Sequence, residues 1–137
     1  MRLSRPQSRV FQSPARFRVL VAGRRFGKTY LSTPELIRFV WGDPDAIAWY
    51  VAPTYKQAKR VEWKPLKKAL APYIDRKPNE SELSISIRGG GTIVLVGADN
   101  YDSLRGPGLN GVVLDEYADM APEAWTEVIR PMLSDRL

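Results

Sequence analysis

The chain has 137 residues, a formal net charge of +6 and 44% hydrophobic residues, enough for one domain with a substantial core. It contains no cysteine and no histidine, which excludes disulfides, thiolate or imidazole metal sites and every histidine-based catalytic triad. Carboxylates and lysines remain for proton transfer, and we expect a soluble protein of a reducing compartment.

The positive charge is concentrated in the first part of the chain. Residues 1–28 hold eight arginines and lysines and no acid, whereas residues 110–137 hold six acids and two bases. This imbalance is compatible with a polyanionic partner or with a merely well-solvated surface. The longest apolar run, residues 46–52, is far too short to span a bilayer.

The first elements predicted along the chain are an arm, a strand and a helix. Residues 1–16 are polar and contain prolines, which indicates an N-terminal arm ahead of one domain over residues 17–137. The apolar run 17–22 predicts a strand. Residues 28–41 have apolar side chains at helical spacing, although Pro34 weakens the case for one uninterrupted helix.

Further strands and helices alternate after this helix. Residues 46–53 predict a buried strand, and Thr54 is a candidate cap for a helix from Tyr55 to about Tyr73, in which Pro65 forces a kink or a restart. Two β-rich runs flank the glycines 89–91 and predict a hairpin. A strand at 111–116 and a helix at about 122–133 complete a mostly parallel α/β sheet with one antiparallel excursion.

The stretch "AGRRFGKT" after the first predicted strand is close to the phosphate-binding pattern G-x-x-x-x-G-K-[ST]. The end of the pattern matches, and alanine replaces its first glycine. In such loops, successive backbone N–H groups and the following helix N-terminus bind phosphate oxygens, the lysine neutralises their charge and the threonine ligates Mg²⁺. The predicted nucleotide-binding residues are Ala22, Gly23, Arg24, Arg25, Phe26, Gly27, Lys28 and Thr29. The alternative is a basic turn before a helix.

Two acids, Asp115 and Glu116, follow the apolar strand "GVVL". The carboxyl ends of parallel strands are where ligands bind in α/β sheets. We predict that Asp115 is a Mg²⁺ ligand together with Thr29, and that Glu116 orients and deprotonates an attacking water. The alternative is a solvated strand end. Loop and acids together predict a P-loop NTPase of the inserted-strand, catalytic-glutamate type, with ATP and Mg²⁺ as cofactors.

The arginines near these motifs have two interpretations each. Arg24 lies inside the loop and is a candidate catalytic residue over the γ-phosphate, alongside Lys28 and Glu116, or it faces solvent. Arg105, on a Gly/Pro-rich loop, is a candidate finger supplied to a neighbouring subunit, or an ordinary loop arginine.

A row of basic residues follows the strand at 46–53 with a spacing of four residues. This spacing places them on one helix face, which is a phosphate-tracking DNA contact or a solvated surface. The candidate DNA-contacting residues are Lys56, Arg60, Lys64 and Lys68.

Three stretches in this order, "RFRVLVAGRRFGKT", "WYVAPTYKQAKR" and "SLRGPGLNGVVLDEYADMAPEAW", resemble the ATPase domain of the large terminase subunit of tailed bacteriophages, over residues 5–133. The resemblance implies an ATP-driven motor that packages double-stranded DNA into a procapsid in the host cytoplasm. Its implied partners are a small terminase subunit, the portal protein and further copies in a ring, with no membrane. Gln7, or else Gln12, falls where the family has an adenine-reading glutamine.

The resemblance also has departures. The family continues with a coupling strand and a separate nuclease domain, and the sequence ends before both. We therefore expect a partial ATPase domain that does not cleave DNA. The sequence alone does not predict whether this partial domain hydrolyses ATP. The alternatives are another nucleic-acid translocase or helicase, and a catalytically inactive truncated remnant. Ala118 stands where helicase-like Asp-Glu motifs have a final histidine or aspartate, which disfavours the helicase.

Overall fold

The computed structural model describes residues 2–21, 27–99, 101, 106 and 108–134, and only the backbone of Thr29. These residues contain one four-stranded sheet in the order β2-β3-β1-β4. Its strands are β1 Ile47–Ala52, β2 Ser84–Ser86, β3 Thr92–Gly97 and β4 Gly111–Leu114. Strand β1 pairs in parallel with β3 and β4, and β2 pairs antiparallel with β3. The predicted α/β class, with its antiparallel hairpin, is confirmed.

Helices cover both faces of the sheet. The α-helices are α1 Arg5–Gln12, α2 Lys28–Val40, α3 Tyr55–Ala58, α4 Lys64–Leu70 and α5 Arg130–Ser134. Two π-helical segments extend them, Lys59–Trp63 between α3 and α4 and Ala124–Ile129 before α5. Short 3₁₀ turns occupy Ala71–Tyr73 and Tyr117–Asp119. None of the helices in the described ranges is long and apolar enough to cross a membrane.

Strand β1 separates the two halves of the core. Its residues Ala48 and Tyr50 pack with Leu36 of α2 and Leu66 of α4 on one face. The next residues in the alternation, such as Val51, pack with the helical segment that ends in α5 on the other face. Because successive strand residues point to opposite faces, a parallel strand covered on both sides is apolar throughout.

The long helical run after β1 confirms two local predictions. The side chain of Thr54 accepts a 3.1 Å hydrogen bond from the backbone N–H of Gln57 and so caps α3. The π-helical turn of Lys59–Trp63 ends shortly before Pro65. A proline ring clashes with the carbonyl one α-helical turn before it, and a wider turn relieves this clash. The predicted kink or restart is therefore a local widening of the helix.

The predicted strand at 17–22 was wrong for its described part. Residues 17–21 form no strand, and Val19 and Val21 are 91% and 92% exposed. The segment is held by a side chain instead, because the guanidinium of Arg18 donates to Glu35 of α2 at 2.6 Å. An apolar β-branched run favours extended backbone, but a strand also needs a neighbouring edge, which local sequence does not specify.

The predicted N-terminal arm contains helix α1, which was not predicted from the sequence. Ser4 and Gln7 form a capping box at the start of α1, in which each side chain accepts from the other residue's backbone N–H. Helix α1 contacts α2, where the guanidinium of Arg38 lies 4.2 Å from the ring centre of Phe11. The division into an arm and a domain at residue 17 stays a prediction.

Candidate functional site

Helix α2 and strand β4 bring the end of the predicted phosphate loop and the predicted acids to the same edge of the sheet. Gly111, the first residue of β4, lies against Phe39 near the end of α2 so closely that a Cβ would overlap the ring. The C-terminal end of α2 therefore packs against the N-terminal end of β4. Going back to Lys28 along α2 covers about 16 Å, and β4 reaches Asp115 after about 13 Å.

A second contact gives α2 the same direction. Thr33, in the first half of α2, donates a 2.6 Å hydrogen bond to Glu62, whose pKa is raised mainly by burial and further by the charge of Asp115. The first half of α2 thus lies on the side of the sheet where β4 ends. We conclude that Lys28 and Asp115 lie toward the same edge, the C-terminal edge of β1 and β4.

Gly27 caps α2 in a conformation that favours glycine. Its φ is +79°, in the left-handed region, and its carbonyl accepts from the N–H of Leu31 as the first turn of the helix. The side-chain amide of Gln7 donates to the same carbonyl at 3.2 Å, and its oxygen accepts from the N–H of Ser4 at 2.8 Å. Through these two hydrogen bonds, the buried Gln7 ties α1 to the end of the loop.

The structure describes only some of the other predicted loop residues. Lys28 is the exposed first residue of α2. Thr29 follows it in the helix, but its side chain is outside the described residues. The remaining predicted loop residues, and Arg105, also lie outside the described residues: Ala22, Gly23, Arg24, Arg25 and Phe26. Their predicted roles stay predictions.

The carboxylate of Asp115 is held by one donor at each oxygen. The hydroxyl of Tyr50 donates to Oδ2 at 2.6 Å, and the backbone N–H of Glu116 donates to Oδ1 at 3.0 Å. The N–H of Asp115 itself continues the sheet by donating to Val51 at 2.9 Å. Burial, followed by the bond to Asp115, raises the pKa of Tyr50 far above its usual value, so its hydroxyl remains a donor.

Glu116 has an exposed side chain on a strained backbone. Its φ is +55° and its ψ is +44°, a left-handed conformation that costs a residue with a Cβ roughly 1–2 kcal/mol. The chain turns sharply here, and the N–H of Asp119 donates to the Glu116 carbonyl at 2.9 Å. Non-glycine residues in this conformation cluster at functional sites. The turn directs the chain away from β4 directly after the acids.

A buried carboxyl lies behind this edge. Glu62, in the π-helical segment, has no exposed surface, and its Oε2 has no hydrogen-bond partner among the described residues. Burial, opposed by the hydrogen bond from Thr33 and reinforced by the charge of Asp115, raises the pKa of Glu62 to about 8. The carboxyl is therefore mostly neutral at pH 7.

Three residues of this arrangement were missed from sequence: Thr33, Tyr50 and Glu62. Two of them had a usable signal. Tyr50 is the one side chain with a hydroxyl in "AIAWYVA", and a hydroxyl buried in a strand needs a partner. Glu62 shares its four-residue spacing with the buried Ala58 and Leu66, so it lies on the apolar face of the helix. Thr33 had no comparable signal.

The predicted basic row is on the surface. Its four members are exposed. Among the described residues, the ion pair on this part of the helix is formed by Lys67, which is outside the row and lies 2.8 Å from Glu80. The row therefore leaves its charge available to solvent or to an anionic partner. The members are Lys56, Arg60, Lys64 and Lys68.

A mostly parallel sheet, covered by helices on both faces and followed at the end of β4 by the Asp115–Glu116 pair, defines a P-loop ATPase-type α/β fold. Within that class, the chain belongs to the terminase large subunit family, T4likevirus-type, N-terminal, whose model matches residues 19–136.

Individual relatives agree with this family. The terminase large subunits of Thermus phage G20c and Thermus virus P23-45 are each 29% identical to the chain, over 95% of its length. The chain spans only 31% of the length of these curated relatives. Among solved structures, the large terminase ATPase domain of Thermus phage P74-26 is 27% identical with a TM-score of 0.81, covering 95% of this chain and 59% of that one.

Proposed function

We propose that this chain is the ATP-hydrolysing motor domain of a phage terminase large subunit, which drives DNA into a procapsid. The proposal is based on one observation. The start of α2 at Lys28 and the acids Asp115 and Glu116 lie toward the same edge of the sheet, at the C-terminal ends of β1 and β4. Membership of the terminase family supports the same activity.

ATP would bind with its phosphates at the start of α2. The helix contributes partial positive charge and backbone N–H groups that point out of this end, and Lys28 adds a full charge. Gly27 lets the backbone approach the phosphates closely. Gln7 remains our proposal for the residue that reads adenine, since it lies beside Gly27. The loop residues 22–26 would wrap the phosphates.

Mg²⁺ would be held by Asp115 and by the hydroxyl of Thr29. The described part of this donor set fits, because the Asp115 carboxylate supplies hard oxygen atoms, each with a lone pair beyond the hydrogen bond that it accepts. When bound, the ion neutralises charge on the phosphate oxygens. The hydrogen bonds from the Tyr50 hydroxyl and the Glu116 N–H would hold this carboxylate in one orientation.

Glu116 would act on the attacking water. Its carboxylate accepts a proton from the water and orients it toward the γ-phosphate, and no histidine in the chain could replace it. Arg24 would stabilise the charge on the transferred phosphoryl group from within the loop, and Arg105 would do so for a neighbouring subunit. The roles of both arginines are predicted from the sequence alone.

The partners follow from the family and from the exposed basic row on α3, the π-helical segment and α4. This row would track the phosphates of double-stranded DNA. We propose assembly of several copies into a ring on the portal of the procapsid, with a small terminase subunit, in the host cytoplasm.

The proposal is tested by comparing the parent chain with Glu116→Gln. The parent should release phosphate from ATP in the presence of Mg²⁺, and ATP should raise its melting temperature. The variant should lose turnover by at least 100-fold and keep the ATP-induced rise. A parent whose melting temperature does not respond to ATP would overturn the proposal.

One observation favours a second candidate, a domain that binds nucleotide without turning it over. The segment 17–21, directly before the loop, lies outside the sheet with exposed valines. The segment that leads into the loop is therefore not fixed by strand pairing, whereas catalysis requires a precisely positioned site. A parent chain that ATP stabilises but that releases no phosphate would establish this candidate, and Glu116→Gln would then change neither measurement.

A further inference from the structure

Tyr50 occupies a position that brings its hydroxyl to the carboxylate of Asp115. It lies in the middle of β1, and its side chain has no exposed surface. Its partner in the parallel ladder is Val113 of β4. Because side chains alternate along a strand, Asp115 is on the same face as Val113, at the diagonal distance that a long aromatic side chain can reach.

From this geometry we infer that Tyr50 is a positioning residue for the carboxylate of Asp115 when that carboxylate binds Mg²⁺. The inference rests on the proposed function. The hydroxyl donates to Oδ2 at 2.6 Å, while the N–H of Glu116 donates to Oδ1 at 3.0 Å. With a donor at each oxygen, the carboxylate cannot rotate without breaking a hydrogen bond.

The surroundings of Tyr50 make this orientation rigid. Its ring belongs to the core cluster that contains Leu36 of α2, Leu66 of α4 and Leu95 of β3. The hydroxyl therefore cannot follow Asp115 if the acid turns away. Donors behind a metal-binding carboxylate contribute to affinity because they fix it before the ion arrives.

The consequence is specific to Mg²⁺. The hydroxyl of Tyr50 donates to Asp115, the proposed metal ligand, so its loss should leave metal-free nucleotide binding unchanged. It should weaken Mg²⁺ binding to the nucleotide complex by on the order of tenfold, the usual effect of removing such a donor. A purely structural role would instead lower stability equally with and without the ion.

The test compares Tyr50→Phe with the matched control Tyr55→Phe. Tyr55 is partly exposed, and its hydroxyl donates to the Ser81 carbonyl at 3.0 Å, away from the acids. Melting temperature is measured with a non-hydrolysable ATP analogue, first with a chelator and then over a Mg²⁺ titration. We expect the half-saturating Mg²⁺ concentration to rise about tenfold in Tyr50→Phe and to stay unchanged in Tyr55→Phe.

The outcomes separate this inference from the proposed function. If the parent chain shows no Mg²⁺-dependent rise in melting temperature, both the proposed function and the role of Tyr50 are overturned. If the parent responds and both variants match it, the role of Tyr50 is overturned while the function stands.

A second measurement covers the case in which Tyr50→Phe does not fold. Site-specific 3-fluorotyrosine at position 50 keeps the hydroxyl and reports on its surroundings by fluorine NMR. We expect Mg²⁺ to shift this resonance in the analogue-bound protein, and Asp115→Asn to abolish the shift. A resonance that does not move, in a protein that Mg²⁺ stabilises, would refute the role of Tyr50.

Discussion

The hydroxyl of Thr33 donates a 2.6 Å hydrogen bond to Glu62, a residue without exposed surface. The bond joins α2, which begins at Lys28, to the π-helical segment that carries Arg60 on its outer side. It therefore links the helix proposed to bind ATP with the helix proposed to contact DNA. The carboxyl takes part in this link through Oε1, while its Oε2 has no hydrogen-bond partner in the part of the chain that the structure describes.

We predict that Thr33→Val destabilises the fold. The substitution keeps the shape of the side chain and removes the donor, which leaves the buried Glu62 carboxyl without its hydrogen bond. The expected loss of unfolding free energy is about 1–3 kcal/mol, measured by urea denaturation. Thr126→Val is the control, because that exposed hydroxyl forms only a 3.3 Å bond to Pro122 and should change little. Equal losses in both variants would contradict the prediction.

Glu62 should make stability depend on pH. Its pKa is raised to about 8 from 4.5, mainly by burial. Below pH 4.5 the carboxyl is protonated in both folded and unfolded chains, so the pKa shift has no effect there. Between about pH 4.5 and 8 only the unfolded chain releases the proton, and the unfolding free energy falls by at most about 1.4 kcal/mol per pH unit.

Glu62→Gln is the variant that tests this pH dependence. It keeps the acceptor for Thr33 without a titrating proton, so its stability relative to the parent should grow steadily from pH 5 to pH 8. The measurement is denaturant unfolding at several pH values. Asp115 and Tyr50 are the titratable groups coupled to Glu62, and both stay in place in the variant. A stability difference that is constant with pH would exclude a raised pKa.

Gly27→Ala should disturb the loop end more than backbone strain alone would. A Cβ at Gly27 would lie 2.5 Å from Nε2 of Gln7, and φ is +79°. Gly42 has a similar φ of +74° with open space around it, so Gly42→Ala is a matched control for strain. Each should lose about 1 kcal/mol from φ, and Gly27→Ala should in addition weaken ATP binding severalfold. If ATP stabilises both variants equally, Gln7 does not hold the loop end.

The basic row should give DNA binding a steep salt dependence. Each phosphate contact contributes about −0.9 to the slope of log affinity against log salt concentration. We expect the slope to fall by about that amount for each contacting side chain that is removed. The variant carries alanine at Lys56, Arg60, Lys64 and Lys68, and the control carries it at the exposed Arg76 and Lys77. If log affinity falls with log salt concentration at the same slope in the parent and the row variant, the row is a solvated surface and not a DNA contact.

Much of the fold was predictable because its elements are encoded locally. The apolar run around β1, the glycines of the β2–β3 hairpin and the cap at Thr54 are signals within a few residues of the structure that they predict. The acids after β4 were likewise visible as an Asp-Glu pair that ends an apolar run. Their roles in catalysis still await the experiments above.

Helix α1 was missed although its capping box is a local signal, but the other errors and omissions mostly concern contacts between distant residues. The run 17–22 favours extended backbone, but the described part pairs with no strand and is held by Arg18 on Glu35. The bond between Tyr50 and Asp115 spans two strands, and no pattern near either residue specifies it. The position of Glu62 was encoded in helical spacing, whereas its hydrogen bond to Thr33 was not.

The sequence by itself determined the order and kind of most elements, the charge distribution and the chemical groups available, since these depend on each residue and its near neighbours. Only the tertiary structure decided that α2 and β4 run in opposite directions, which brings Lys28 to the edge with Asp115. It also decided that Tyr50 and Glu62 lie behind that edge. The physical reason is that strand pairing and helix packing join residues far apart in the chain, and their geometry depends on the whole core.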